Sequence, residues 1–273
     1  MKRLEGKTAL ITGAAKGLGA AMAQRFAEQG ATVILNDLAL EDARKAAAQV
    51  GGHAVAADVS DPASVKAMFV EVSRLLPRLD ILVNNAGIID AMSKSEIDEI
   101  IEKRRKQAEE IAATGKVETF VDRTVFTTDD AWRRMQAVHV DGTFFCCREA
   151  LKIMNPAMTG SIINISSIIG TFGRGGSVPY GTAKAAILGL TRALAHEVAA
   201  RGIRVNAIAP GFIDTDMIAP FQPFHAGFIA QTPLRRLGEP DDVAWAAVYL
   251  ASDESKFMTG QVISPNGGWY MSQ

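Results

Sequence analysis

SSIIGTFGRGGSVPYGTAK, residues 166–184, places a serine, a tyrosine and a lysine where they can act on one oxygen atom. Tyr180 and Lys184 are four residues apart, so on a helix both side chains lie on one face. A lysine ammonium beside a phenol stabilises the phenolate, and a phenol with an ordinary pKa near ~10 serves as a base near neutrality only with such help. Ser167, at the end of a strand-like run, can hold the same oxygen with its hydroxyl. On its own a Y-x3-K pair also fits a surface pair. QAVHVDGTFF, residues 136–145, adds a lone histidine, His139, whose options are base, metal ligand or core residue. His53, His139, His196 and His225 lie far apart without ligand-like spacing, which sets a metal site aside.

A second cluster suits a dinucleotide. TGAAKGLGAAMAQRFAEQGA follows an apolar run, and Gly13, Gly17 and Gly19 remove Cβ atoms where a strand turns into a helix. There backbone can approach a pyrophosphate and helix N–H groups can point at it. The spacing is G-x3-G-x-G, and three glycines alone fit a tight turn equally well. Asp37, before Leu38 at the end of the next apolar run, can accept hydrogen bonds from an adenosine ribose diol and repel a 2′-phosphate. NAD is therefore favoured over NADP, with Lys16 in the Gly-rich turn as the feature on the side of the phosphate.

These residues need a frame. Short apolar runs at 8–12, 32–36, 53–57, 80–84, 161–166, 204–209 and 261–264 alternate with helical patterns at 17–29, 40–49, 62–75, 129–153, 180–200 and 240–251. The runs are continuous, as in strands covered on both faces, and the alternation implies βαβ units and a doubly wound parallel α/β sheet of about seven strands. Residues 1–273 read as one domain, with a helical insertion at about 89–125 and a substrate loop at about 212–238. In the insertion, Ser93 with Glu96 makes a capping box and Gly115 a stop. Ile97, Ile100, Ile101, Ala108 and Ile111 fall mostly on one face, and the charges from Lys94 to Glu110 read as a solvated face.

The 29 basic and 30 acidic residues nearly balance and no basic run stands apart from acidic neighbours, so no nucleic-acid partner is expected. No apolar segment approaches the roughly 20 residues that span a bilayer. Cys146 and Cys147 are adjacent, which suits neither a disulfide nor a metal site. A soluble, cytoplasmic protein with a small-molecule partner is expected.

Taken together the motifs resemble the short-chain dehydrogenase/reductase family nearly end to end, and the C-terminal stretch from LGEPDDV onward is similar to its 3-oxoacyl-carrier-protein reductase-like branch. The resemblance implies a Rossmann-type fold in which TGAAKGLG, with Gly13, Lys16, Gly17, Leu18 and Gly19, is the cofactor motif. It makes Asp37 and Leu38 the ribose contacts, Asp58 with Val59 the adenine contacts, and Asn85, Ala86 and Gly87 of NNAG part of the cofactor floor, with Asn84 steadying the sheet. It makes Ser167, Tyr180 and Lys184 the catalytic residues, Tyr180 and Lys184 also touching cofactor. In PGFIDTDM, residues 210–217, Pro210, Gly211, backbone around Ile213 and the Thr215 hydroxyl hold the nicotinamide carboxamide. Helices around 129–153 and 180–200 pair between subunits in the family, so a homotetramer is expected.

Two positions depart from the family pattern. His139 replaces an asparagine whose main-chain carbonyl holds a relay water; the histidine keeps that carbonyl, so His139 joins the catalytic set through its backbone. The insertion is roughly thirty residues longer than the usual connection and leaves the ligand side of the sheet. An active-site lid and a subunit-contact arm are both open, a lid or pocket wall being favoured. Met217, Ile218, Phe221, Phe224, Phe228 and Ile229 suit an apolar wall, with His225 at the surface or in the lining.

The reading is an NAD(H)-dependent oxidoreductase interconverting a mostly apolar secondary alcohol and its ketone. A 3-oxoacyl-thioester reductase is the alternative, and NPAMTG before residue 161 lacks a basic residue for docking an acidic carrier. A rival of another class is a non-catalytic dinucleotide sensor, against which the intact Ser167, Tyr180 and Lys184 argue.

Overall fold

The computed structural model describes residues 2–90, 92–173 and 177–271. Seven strands form one sheet: β1 Thr8–Ile11, β2 Thr32–Asp37, β3 His53–Ala56, β4 Ile81–Asn84, β5 Gly160–Ile165, β6 Ile203–Ile208 and β7 Val262–Ile263. Their order is β3-β2-β1-β4-β5-β6-β7, and every pairing is parallel. The chain moves outward from β1 to β3 and then returns to lay β4 on the other side of β1. That reversal opens a crevice at the carboxyl ends of β1 and β4, where doubly wound sheets bind ligands.

The main helices are α1 Gly17–Glu28, α2 Leu40–Val50, α3 Pro62–Leu75, α4 Lys94–Thr114, α5 Arg123–Phe126, α6 Asp129–Gln136, α7 Gly142–Ala157, α8 Ile168–Phe172, α9 Val178–Val198, α10 His225–Gln231 and α11 Pro240–Ala251. Strand residues feed two cores. Leu35, Val83 and Ile163 pack with Phe26 of α1 and Val248 of α11 on one face. Leu82, Ile162 and Val205 pack with Phe69 of α3, Cys146 and Ala150 of α7 and Ala195 of α9 on the other. Burial on both faces is the physical reason for the unbroken apolar runs. Among the described residues no helix is long and apolar enough to cross a membrane.

Three features differ from the sequence pattern. The helix expected over 129–153 is α6 and α7 joined by a π-helical turn at Ala137–Asp141, and α7 runs on to Ala157. Short helices appear at α5, α8 and α10, where no long apolar period announces them. On α4, Ser93 and Glu96 cap each other reciprocally and Gly115 closes the helix in the left-handed region, yet only Ile97 is buried and Ile111 is 55% exposed. The face carrying its isoleucines is thus only partly covered.

Candidate active site

α8 starts from Ser167 at the end of β5, and the Ser167 hydroxyl accepts the Ile169 N–H at 3.2 Å. α9 starts at Ser177, whose hydroxyl accepts the Tyr180 N–H at 3.3 Å and so fixes where Tyr180 enters the helix. Gly170 lets the two helices meet: a Cβ there would lie 2.5 Å from the Lys184 carbonyl carbon. The Ser166 hydroxyl donates to the Lys184 carbonyl at 2.7 Å, which ties α9 to the end of β5.

Ser167, Tyr180 and Lys184 therefore face one cleft of about 300 Å³. The Lys184 ammonium is buried and donates to the Ile165 carbonyl at 2.8 Å, with Nζ 5.7 Å from the Tyr180 ring centroid. Burial pushes the lysine pKa down to about 7. Burial also pushes the Tyr180 phenol up to about 12, against which a hydrogen bond from Ser167 pulls downward. The Lys184 amine is engaged with a strand carbonyl, and Ser167 supplies the pull that opposes burial. A positive charge arriving in the cleft would favour the phenolate.

The other end of the cleft suits a dinucleotide. Gly13, Lys16, Gly17, Leu18, Asp37, Leu38, Asp58, Val59, Asn85, Ala86, Gly87, Pro210, Gly211, Ile213 and Thr215 all border it. α1 has no side-chain N-cap, so its first-turn N–H groups are left for a ligand. At Gly17, with φ +58°, a Cβ would point into open space toward Thr215, 3.9 Å from its methyl group. These donors and this gap fit a pyrophosphate. The Asp37 carboxylate is fixed at the end of β2, accepting the Ala15 N–H at 3.0 Å and the Leu38 N–H at 2.9 Å. Asp58 accepts from the Ser60 N–H and hydroxyl at 2.9 and 2.6 Å. Lys16 reaches Asp216 at 3.6 Å across the mouth. Gly19 lies outside the cleft lining, and a Cβ on it would strike the Gly13 carbonyl at 2.4 Å. It serves the close packing of α1 on the glycine turn.

Two family models match the chain, "short chain dehydrogenase" over residues 7–121 and "Enoyl-(Acyl carrier protein) reductase" over residues 110–270. The chain is 35% identical over 270 residues to the 3-oxoacyl-[acyl-carrier-protein] reductase of Escherichia coli, covering 98% of each. The chain belongs to the short-chain dehydrogenase/reductase family. The corresponding reductase of Staphylococcus aureus is also 35% identical, with 97% of this chain and 98% of that protein covered. A solved short-chain type dehydrogenase/reductase from Mycobacterium marinum superposes with a TM-score of 0.83 at 31% identity, covering 98% and 97%. The protein is accordingly an oxidoreductase acting on CH–OH and ketone groups.

Within this short-chain dehydrogenase/reductase, Asn84 donates to Asn164 at 2.8 Å, joining β4 to β5. His139 is expected to act through its main-chain carbonyl, with the ring as filling. It is 1% exposed and lies outside the cleft lining, so its ring does not reach a reacting atom. The ring fills the space in front of Gly87, where a Cβ would come within 2.5 Å of Cε1, and stands edge-on to Tyr180 at 5.6 Å. Its Nε2 lies 2.8 Å from the Ile88 carbonyl and 3.1 Å from the Ile88 N–H, and Nδ1 is buried without a partner among the described residues. Burial, with Lys184 nearby, pushes its pKa down to about 3, so the imidazole is neutral. The His139 carbonyl accepts the Thr143 hydroxyl at 2.6 Å, and the π-helical distortion is present with histidine in place of asparagine.

Sequence reasoning missed Ile88, Arg134 and Val138, which also line the cleft, and the Ile165 carbonyl that holds Lys184. A backbone carbonyl leaves no residue-type signal. Ile88 and Val138 read as ordinary apolar positions; the first follows Gly87 after β4 and the second lies in the π-helical turn between α6 and α7.

Proposed function

We propose that the enzyme reduces a 3-oxoacyl thioester to its 3-hydroxy form, with NADH as the reductant. The observation that carries this is the meeting of Tyr180, Ser167 and Lys184 in one cleft whose far end fits a dinucleotide, in a chain 35% identical throughout to a 3-oxoacyl-[acyl-carrier-protein] reductase. When bound, the nicotinamide supplies the hydride to the ketone carbon. Ser167 holds the ketone oxygen, Tyr180 gives that oxygen its proton, and Lys184 binds the nicotinamide ribose and favours the phenolate once the ring is oxidised. Gly13, Gly17 and the α1 N-terminus hold the pyrophosphate. Asp58 and Val59 border the adenine, Asn85 to Gly87 form the floor, and Pro210, Gly211, Ile213 and Thr215 seat the carboxamide.

Asp37 supports NADH over NADPH, because its fixed carboxylate accepts a ribose diol and repels a 2′-phosphate. A second reading, NAD-linked oxidation of an apolar secondary alcohol, draws on the same carboxylate and on Met217 and Ile218 in the lining. We read residues 1–273 as one domain and the insertion as a pocket wall: Arg104 of α4 lies over the ring of Phe224 at 5.5 Å, next to α10 of the substrate segment.

Nicotinamide absorbance with an acetoacetyl thioester and a panel of secondary alcohols, each with both cofactors, tests substrate and cofactor together. Turnover of the thioester with NADH is expected. Turnover of alcohols alone would move the assignment to the second reading, and cofactor binding without turnover of anything would leave a sensor. Tyr180→Phe should lose nearly all turnover while still binding NADH; retention of most activity would remove Tyr180 as proton donor.

A further inference from the structure

Two arginines sit side by side on α6 and differ in what surrounds them. Arg133 pairs with Asp129 at 3.2 Å and with Asp130 at 3.6 Å. Arg134 lines the cleft, and among the described residues no carboxylate pairs with it. It is exposed while bordering the cleft, so its guanidinium stands at the mouth, and a guanidinium keeps its full charge at any working pH.

Val138, in the π-helical turn that continues α6, also lines the cleft. Gly142, at the start of α7, lies against Val59: a Cβ there would come within 2.9 Å of the Val59 Cγ2, and Val59 borders the cleft together with Asp58 and Ser60. Arg134 thus belongs to a wall that runs down to the segment expected at the adenine. α7, which continues this wall, packs on one face of the sheet, whereas α1, which the glycine turn opens, packs on the other. Arg134 and Gly17 therefore approach the crevice from opposite sides.

The charges of the cleft decide which ligand group it meets. Its lining holds the cations Lys16, Arg134 and Lys184 and the carboxylates Asp37, Asp58 and Asp216. Lys16 is engaged by Asp216 at 3.6 Å, and the Lys184 ammonium is held deep beside Tyr180 by the Ile165 carbonyl. Asp37 and Asp58 accept from backbone N–H groups and a serine hydroxyl. Among the described residues of the mouth, Arg134 is left as the cation that no carboxylate answers. The N-terminus of α1 offers a pyrophosphate N–H donors and a partial charge, while each phosphate carries a full negative charge. A guanidinium meets phosphate oxygens with paired donors and a full charge. We propose that Arg134 is a cofactor-binding residue, whose guanidinium takes the pyrophosphate of the dinucleotide from the side opposite the glycine turn. This rests on the dinucleotide reading of the cleft and is independent of which substrate is reduced.

Calorimetric binding tests this without turnover. In Arg134→Gln the Kd for ADP-ribose and for NADH should rise about tenfold, and log Kd should depend less steeply on log salt. Arg134→Lys keeps the charge and loses the paired donors, so it should recover part of the loss. Adenosine, which lacks phosphate, should bind Arg134→Gln within about twofold of wild type. Arg133→Gln, at the neighbouring arginine with its own carboxylates, should leave all these affinities within about twofold. Unchanged affinity for ADP-ribose in Arg134→Gln would overturn the inference. So would an equal loss for adenosine, which would put the guanidinium on the base, or a change confined to the KM of the thioester, which would give it to the substrate. If wild type binds ADP-ribose and Arg134→Gln binds it equally well, this inference alone falls. If wild type binds neither ADP-ribose nor NADH, the dinucleotide reading falls with it.

Discussion

One imidazole nitrogen of His139 faces two backbone groups of Ile88, the carbonyl at 2.8 Å and the N–H at 3.1 Å, and can serve one of them at a time. A carboxamide at this position has a donor and an acceptor, so it can serve both and leaves no counterpart of the orphaned Nδ1. His139→Asn should therefore stay active and unfold at higher urea, by about 1 kcal/mol. His139→Leu, which serves neither group, should lose stability; complete inactivity of the asparagine variant would instead give the ring a direct role. Lys184 supplies a pH prediction. Its pKa is about 7 in the fold against an ordinary 10.5, so between those values the unfolded chain holds a proton that the folded one has released. Stability of the cofactor-free enzyme then rises with pH from 7 toward 9.5, and is lost as pH falls through that window. Tyr180, raised to about 12, acts in the opposite sense only above its ordinary 10. Urea midpoints at pH 7 and 9.5 should show the rise in wild type and little of it in Lys184→Met. The identities of Ser167, Tyr180 and Lys184 were legible because their chemistry is written in side chains. The tuning was not, since Ile165 acts through a carbonyl and Ser167 reaches Tyr180 only after two helices have packed at Gly170.

At the scale of elements, the strands were legible almost to the residue because burial on both faces leaves one pattern, an unbroken apolar run. The helix over 129–153 was legible as a helix and not as a broken one. At its π-helical turn, Ala137–Asp141, His139 meets the backbone of Ile88, 51 positions away. The insertion taught the reverse lesson: local capping chemistry, Ser93 with Glu96 and Gly115 at the end, predicts a helix wherever it sits, while an isoleucine stripe does not by itself find a core. What α4 does find is the substrate segment, through Arg104 over Phe224 at 5.5 Å. A cation over a ring at an exposed site contributes about 0.5–1 kcal/mol, enough to bias a segment and too little to hold the fold. Arg104→Ala should accordingly raise KM by about two- to fivefold with the unfolding midpoint unchanged. An unchanged KM would remove the insertion from the pocket wall and favour the subunit-contact arm.

At the scale of the molecule, the sheet order fixes where the chemistry sits and which surfaces are left over. The crevice at the carboxyl ends of β1 and β4 takes the site, which leaves the faces away from it for assembly. A tetramer with two-fold symmetry needs two different self-complementary patches on each chain. Two apolar patches stand apart from each other in the fold. One is the outer side of α7, where Phe144 is half exposed with Arg148 over its ring. The other is the far edge of the sheet, where β7 has a neighbour on one side only, Val262 is exposed and Phe257 is fully exposed. If both are subunit contacts, each charged substitution removes one and leaves the other. Phe144→Asp should then sediment as a dimer held through the β7 edge, Phe257→Asp as a dimer held through α7, and the double variant as a monomer. Wild type sedimenting as a monomer at micromolar concentration would refute the tetramer. A wild-type tetramer unaffected by either change would place its contacts elsewhere, with the exposed apolar face of the insertion, Phe120, Val125 and Phe126, next in line.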